Sequence, residues 1–237
     1  MVKLIARATF LTLIICFSVI VSKAQIGAEF ALFDVGASAG INQFYGDVST
    51  TKSSQAFSFN INFNQTPFVN YILEGQFGKL SGGTPNDYSG REFSTDYQYY
   101  AFRVQFQLGE VIDYSQSDFA NSMKNLYAGA GVGFIYGKVT SISRYSPHFP
   151  GYYVPGDDKS NQTFLPLRVG YEFKIFNQYL QPSIKIDIGY QYSYIFGDEI
   201  DGYRTGNYND SFSQFTIGIK FAVGVIGSYR KEINYFQ

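Results

Sequence analysis

Cysteine occurs once in the 237 residues, at Cys16, inside an apolar run and between Ile15 and Phe17. Those neighbours do not suit a lipid-attachment site, which wants a small residue before the thiol. Beyond residue 24 there is no cysteine, so disulfides, thiol nucleophiles and thiolate metal sites are excluded from the exported chain. Histidine also occurs once, at His148, and tryptophan not at all. An excess of positive charge is missing too: 18 Lys and Arg face 19 Asp and Glu. Nucleic acid, whose phosphates select basic surfaces, is therefore not an expected partner. No apolar run beyond residue 24 approaches the ~20 residues that a membrane helix requires. If the chain spans a membrane, it does so with strands.

The N-terminus is an export signal by pattern: Lys3 and Arg7, an apolar run over residues 8–21, then Ser22-Lys23-Ala24 before Gln25. Cleavage is expected after Ala24. That removes three bases and no acid, so a formal charge of −1 becomes −4. The expected organisation is a signal peptide over 1–24, a β-barrel over 25–226 and a periplasmic C-terminal tail over 227–237.

What the sequence has in quantity is Phe (24), Tyr (21) and Gly (24). Aromatics suit pleated surfaces, and glycine is costly inside helices. In AFSFNINFN, Phe57, Phe59, Ile61 and Phe63 alternate with Ser58, Asn60, Asn62 and Asn64. Period two means one wet face and one greasy face. Seven further segments repeat the pattern, centred on residues 33–42, 69–77, 100–108, 126–136, 165–174, 184–194 and 214–223, with Ile72 as an exception in the third. Each is long for a globular sheet and matches the 9–11 residues of a tilted membrane strand. The reading is an all-β, eight-stranded antiparallel up-and-down transmembrane β-barrel.

Connection lengths agree. The links after Asn64 and Phe176 are tight, whereas those around 47–55, 79–95, 138–161 and 195–210 are long and rich in Ser, Gly, Asp, Asn and Pro. Short periplasmic turns and long outer loops are the habit of such barrels. The stretch 110–124 breaks the rule as a long link on the periplasmic side, with room for a short helix.

Alternation alone does not say which face points inward. The polar face carries Arg103, Arg168, Lys174, Lys185 and Lys220 against Asp34, Glu74, Glu172 and Asp187. It also carries glycines, which a narrow eight-stranded lumen needs beside long side chains. A cation facing lipid at midplane costs ~2–4 kcal/mol, so these nine charges are expected inside as a lumenal network, with Glu74 pairing Arg103 across adjacent strands. The interior is expected to be polar and filled, which outranks a pore. The competing reading, a soluble secreted β-sandwich, expects shorter strands and no difference between alternate links.

Tyr190, Tyr192 and Tyr194 suit an outer aromatic belt. In the last strand, Thr216, Gly218, Phe221 and Val223 resemble the signal read by the barrel-assembly machinery. His148 lies in a Pro-rich loop with no partner in sight for a general base, so a plain surface loop is preferred over a lipid-modifying site. Asp198, Glu199, Asp201, Asn207, Asn209 and Asp210 supply oxygens of the kind Ca²⁺ takes but lack EF-hand spacing. No catalytic, cofactor or metal residue is assigned.

The run Asp34-Val35-Gly36-Ala37-Ser38-Ala39-Gly40 followed by Tyr45-Gly46-Asp47, with the junction Ala24-Gln25, resembles the start of small OmpA-like outer-membrane barrels of Bacteroidota. Within them it most resembles the PorG-type family of the type IX secretion system. The resemblance implies a non-enzymatic barrel with outer-membrane lipid and lipopolysaccharide around it and a periplasmic secretion-ring lipoprotein as partner. Adhesion through the aromatic outer loop 145–153 and passage of a small solute are the alternatives.

Overall fold

The computed structural model describes residues 27–230 except 49, 88–89, 116, 146–150, 152 and 205–208. The signal segment with Cys16, the loop residues His148 and Asn207, and 231–237 of the expected tail lie outside the described residues.

Eight strands follow one another: β1 (Gly27–Tyr45), β2 (Ser53–Asn64), β3 (Val69–Gly83), β4 (Glu92–Gln107), β5 (Leu126–Ile142), β6 (Lys159–Phe176), β7 (Pro182–Ile195) and β8 (Ser211–Arg230). Each pairs antiparallel with the next, and β8 returns to β1, so the sheet closes into a barrel with no free edge. The two tight turns are built by side chains that replace ladder partners. Thr66 Oγ1 accepts from the N–H groups of Phe68 and Val69, and Asn177 Oδ1 accepts from those of Tyr179 and Gln181.

The alternation read in the sequence becomes an inside and an outside. Phe59, Ile61, Leu73 and Tyr100 are 57–62% exposed, while Asp34, Asn62, Arg103 and Glu172 are at most 3% exposed. Ile72, out of pattern in β3, is buried in the lumen. A girdle of Phe, Ile, Leu, Val and Tyr around a core of ionised groups is the architecture of a transmembrane barrel; in water it would expose far more apolar surface than a soluble monomer carries.

Three features depart from the sequence reading. The strands overrun their expected ends: β3 and β5 continue to Gly83 and Ile142, and β1 begins at Gly27. The barrel does not stop at 226, since β8 runs to Arg230 and pairs Arg230 with Gly27. A bulge opposite Leu32, with Gly224 at φ 82°, lets β1 and β8 bend and stay paired below it.

The third departure concerns the interior, which is polar only in its lower and middle parts. Toward the long-loop end it becomes a dry cluster of Phe44, Leu80, Phe93, Tyr97, Tyr99, Ile135, Phe164, Ile195 and Phe212. All of these sit in the inward phase of their strands. A lumen closed to water at one end gains more from packing rings than from pairing charges.

Candidate functional site: the filled lumen and its two mouths

The nine charges assigned to the lumen converge there. Asp187 on β7 is the hub: it accepts from Arg168 on β6 at 2.6 Å, from Lys220 on β8 at 2.9 Å and from the Tyr127 hydroxyl on β5 at 3.0 Å. Lys220 also reaches Glu172 at 2.8 Å. Arg103 pairs with Glu74 at 3.0 Å and Lys185 with Asp34 at 2.6 Å. Five cations against four anions leave one surplus positive charge, and Lys174 carries it lightly. It lies 3.9 Å from Glu172, donates to Pro67 O and Gln107 Oε1, and sits over the Phe68 ring.

Glycines make the network possible. A Cβ at Gly189 would lie 2.6 Å from Arg168 Nη2 and from the Tyr127 hydroxyl, and one at Gly36 would lie 2.8 Å from Lys220 Cγ. The void left between Asn60, Glu74, Arg103, Arg168, Asp187 and Lys220 is about 10 Å³, room for roughly one water.

Of the residues matched to the assembly signal, Thr216 points inward and accepts from Arg168. Gly218 packs against Ser38, while Phe221 and Val223 face outward. Tyr190, Tyr192 and Tyr194 also face outward.

Above the aromatic cluster, the outer loops fold into a cap. Ile200, Tyr203, Val48 and Val154 are buried against the cluster. The Tyr203 hydroxyl donates to Glu92 O and Ser143 O, and Thr95 donates to Ile200 O across the barrel. Asp201 and Asp210, two of the oxygen-bearing residues of the last outer loop, are buried in this cap. Asp201 Oδ1 accepts from Tyr203 N and Asp210 Oδ2 from Ile200 N. Among the described residues no group of three acidic or histidine side chains is arranged to hold a metal ion.

Burial pushes the carboxyls of Asp201 and Asp210 up, and repulsion from neighbouring carboxylates adds to it; Asp198 rises to about 6, again chiefly through burial. A carboxyl whose folded pKa is raised binds more protons folded than unfolded, so its contribution is full below the unfolded value and is lost as pH rises through the folded one. The cap should therefore loosen between about pH 4 and alkaline pH. Hydrogen exchange at Ile200 and Tyr203, corrected for intrinsic rates, should quicken from pH 5 to pH 8, and Asp210→Asn should flatten that dependence.

The lower mouth is covered by the link that broke the short-turn rule. It opens with a 3-10 turn, Leu108–Glu110, and contains one short helix, α1 (Asp118–Met123), whose N-cap Ser117 accepts from Ala120 N. Gly109 N bonds to Lys124 O, Glu110 accepts from Thr66 and Tyr229, and the Tyr171 hydroxyl donates to Ser122 O at 2.6 Å. Phe68 packs edge-on against Tyr114 and Tyr229. The β1–β8 extension below the bulge supplies Tyr229 for this floor.

A barrel of eight strands, plugged through its length and apolar outside, defines the class: a small transmembrane-type β-barrel. No protein-family model matches the chain, and no curated protein matches it in sequence. Among solved structures it is similar to Neisserial surface protein A, with 12% identity, 81% of this chain and 97% of that chain covered, and a TM-score of 0.49. It is also similar to Ail, the attachment invasion locus protein of Yersinia pestis, with 14% identity, 82% and 97% covered, and a TM-score of 0.41. For outer membrane protein AlkL, the values are 12%, 91% and 97%, with a TM-score of 0.35. The barrel assignment rests on the closed ladder itself.

Proposed function

We propose that this chain is a non-conducting, non-enzymatic outer-membrane barrel, exported by a cleaved signal peptide, that anchors a periplasmic protein partner in a secretion-associated role of the type IX kind. The outer membrane is the compartment in which strands with an apolar exterior and long loops at one end are at home. A plugged lumen leaves no route for a solute, so the work falls to the two ends. One observation carries the choice of end. The periplasmic link is tied to the barrel at both its ends, yet it holds Val111 and Phe119 at 79% and 74% exposure. Apolar side chains on a firmly held platform suit a protein partner, and the PorG-type resemblance supplies the kind: a secretion-ring lipoprotein. Recognition of Thr216, Gly218, Phe221 and Val223 by the assembly machinery belongs to the same proposal.

Affinity capture of the tagged chain from detergent-solubilised envelopes tests it. The intact chain should bring down a periplasmic lipoprotein, and Val111→Asp with Phe119→Asp should lose it while still yielding a folded barrel. Recovery of the barrel alone from the intact chain removes the secretion role. A second reading, adhesion, draws on Tyr145 and Tyr153, whose rings lie 5.2 Å apart at a tilt of 55° and stand exposed on an outer loop. Deleting that loop would then abolish adhesion and leave the capture unchanged.

A further inference from the structure

Four strands carry charge on their outward faces at one height. The register pairs Lys79 with Asp96, Asp96 with Lys138, and Lys138 with Lys159. All four side chains are exposed, and the phase agrees, because Leu80, Tyr97, Gly137 and Ser160 beside them are buried. Lys79 and Asp96 make an ion pair at 3.6 Å. Lys138 and Lys159 make none among the described residues, nor any side-chain hydrogen bond. Side chains directly opposite in an antiparallel pair are ~5 Å apart at Cβ, and like charges so placed repel. Inside the barrel Lys174, Lys185 and Lys220 also meet across strands, but Asp34, Glu172 and Asp187 neutralise them. The acids nearest in sequence to Lys159 are committed elsewhere, Asp157 to Arg204 and Asp158 to Arg144. Asp96 balances one of the three lysines, and the counter-charge for the other two comes from outside the chain.

The row sits at the long-loop end of the apolar girdle. One step below it lie Phe77, Gln98, Tyr136 and Asn161. Gln98, flanked by the larger rings of Phe77 and Tyr136, lines an open groove of about 660 Å³ that Phe57 also borders and that ends upward at Lys79 and Lys138. A largely apolar channel that runs along the barrel wall to Lys79, Asp96 and Lys138, with Lys159 beside Lys138 on the next strand, matches one occupant: a lipid with a phosphate on its headgroup. We infer that the outward ladder of Lys79, Lys138 and Lys159 binds a phosphate-bearing lipid of the outer leaflet, with an acyl chain in the groove and the phosphate between Lys138 and Lys159. The inference rests on the outer-membrane reading, and its test separates the two.

The full chain is reconstituted into bilayer discs of neutral lipid doped with either diphosphorylated lipid A or its dephosphorylated form, and lipid retained on extraction is weighed by native mass spectrometry. The intact chain should retain the phosphorylated form about 25-fold over the other, since Lys138 and Lys159 each contribute about a factor of five at an anionic surface. Lys138→Gln with Lys159→Gln should erase the preference, whereas Lys52→Gln, at a lysine already paired with Glu92, should keep it. Inorganic phosphate at millimolar concentration should not displace the lipid, because it lacks the chain that fills the groove. Equal retention of both lipids, equal preference in the double variant, or displacement by free phosphate would overturn the inference while leaving the membrane reading intact. A chain that fails to enter the discs at all would overturn both.

Discussion

Asp187→Ala is expected to lower the unfolding free energy of the barrel by about 3–5 kcal/mol, read by urea titration in detergent micelles. Removing one partner of a buried pair costs more than the pair contributes, because the remaining charge is left without compensation. Here the deletion takes a carboxylate from two cations at once. Arg168 keeps only the Tyr127 and Thr216 hydroxyls, and Lys220 keeps Glu172, which Lys174 also approaches. Asp187→Asn should cost less, because the amide oxygen still accepts a hydrogen bond while its charge is lost. A cost under about 1 kcal/mol for the alanine variant, the size of an exposed pair, would mean that the lumen is wet and that the ions are solvated where they stand.

The opposite face is tested by Leu73→Arg. Leu73 lies in the apolar band of β3, between the strand's start at Val69 and the rim at Lys79, 60% exposed and flanked in register by Ile61 and Phe102. In hydrocarbon, an arginine at that height should cost ~2–4 kcal/mol, whereas Lys138, near the rim, stands where the same charge costs ~0–1 kcal/mol. The expected result is a lower midpoint for the folded band on unboiled gels after urea exposure. A domain bathed in water would gain solubility from the same change and lose almost nothing in stability. The two substitutions thus probe polarity in opposite senses: charge is required at 187 and penalised at 73.

How far the sequence reveals this molecule depends on whether the signal is local. Period-two alternation is local, so the strands, the inward charges and the outward girdle could be read from residues such as Phe57 to Asn64 without any knowledge of partners. The aromatic plug shows the limit. Tyr97 and Tyr99 share the inward phase of Arg103, as Phe212 shares that of Gln214, but apolarity alone does not distinguish a ring facing lipid from one facing a dry lumen. Following the phase from the charged residue outward would have found them. Which carboxylate meets which ammonium is another matter, because Asp34 and Lys185 lie 151 residues apart and meet only through the closure of β8 onto β1. The same holds for the outward row at Lys138 and Lys159, whose register is set by the whole of β5 and β6. The link 108–125 carried no periodicity to read; its place under the barrel comes from Glu110, Tyr114 and Tyr171 meeting residues distant in sequence.

The polarity of the wall is measured most directly by a nitroxide placed at residue 73. With Cys16 changed to Ser and Leu73 to Cys, the label is the only thiol adduct on the chain. In lipid vesicles its relaxation should respond strongly to oxygen, which concentrates in hydrocarbon, and hardly at all to a water-soluble nickel chelate, with the reverse for a label at position 138. A label at 73 that collides freely with the nickel chelate would contradict a barrel whose greasy side is its outside.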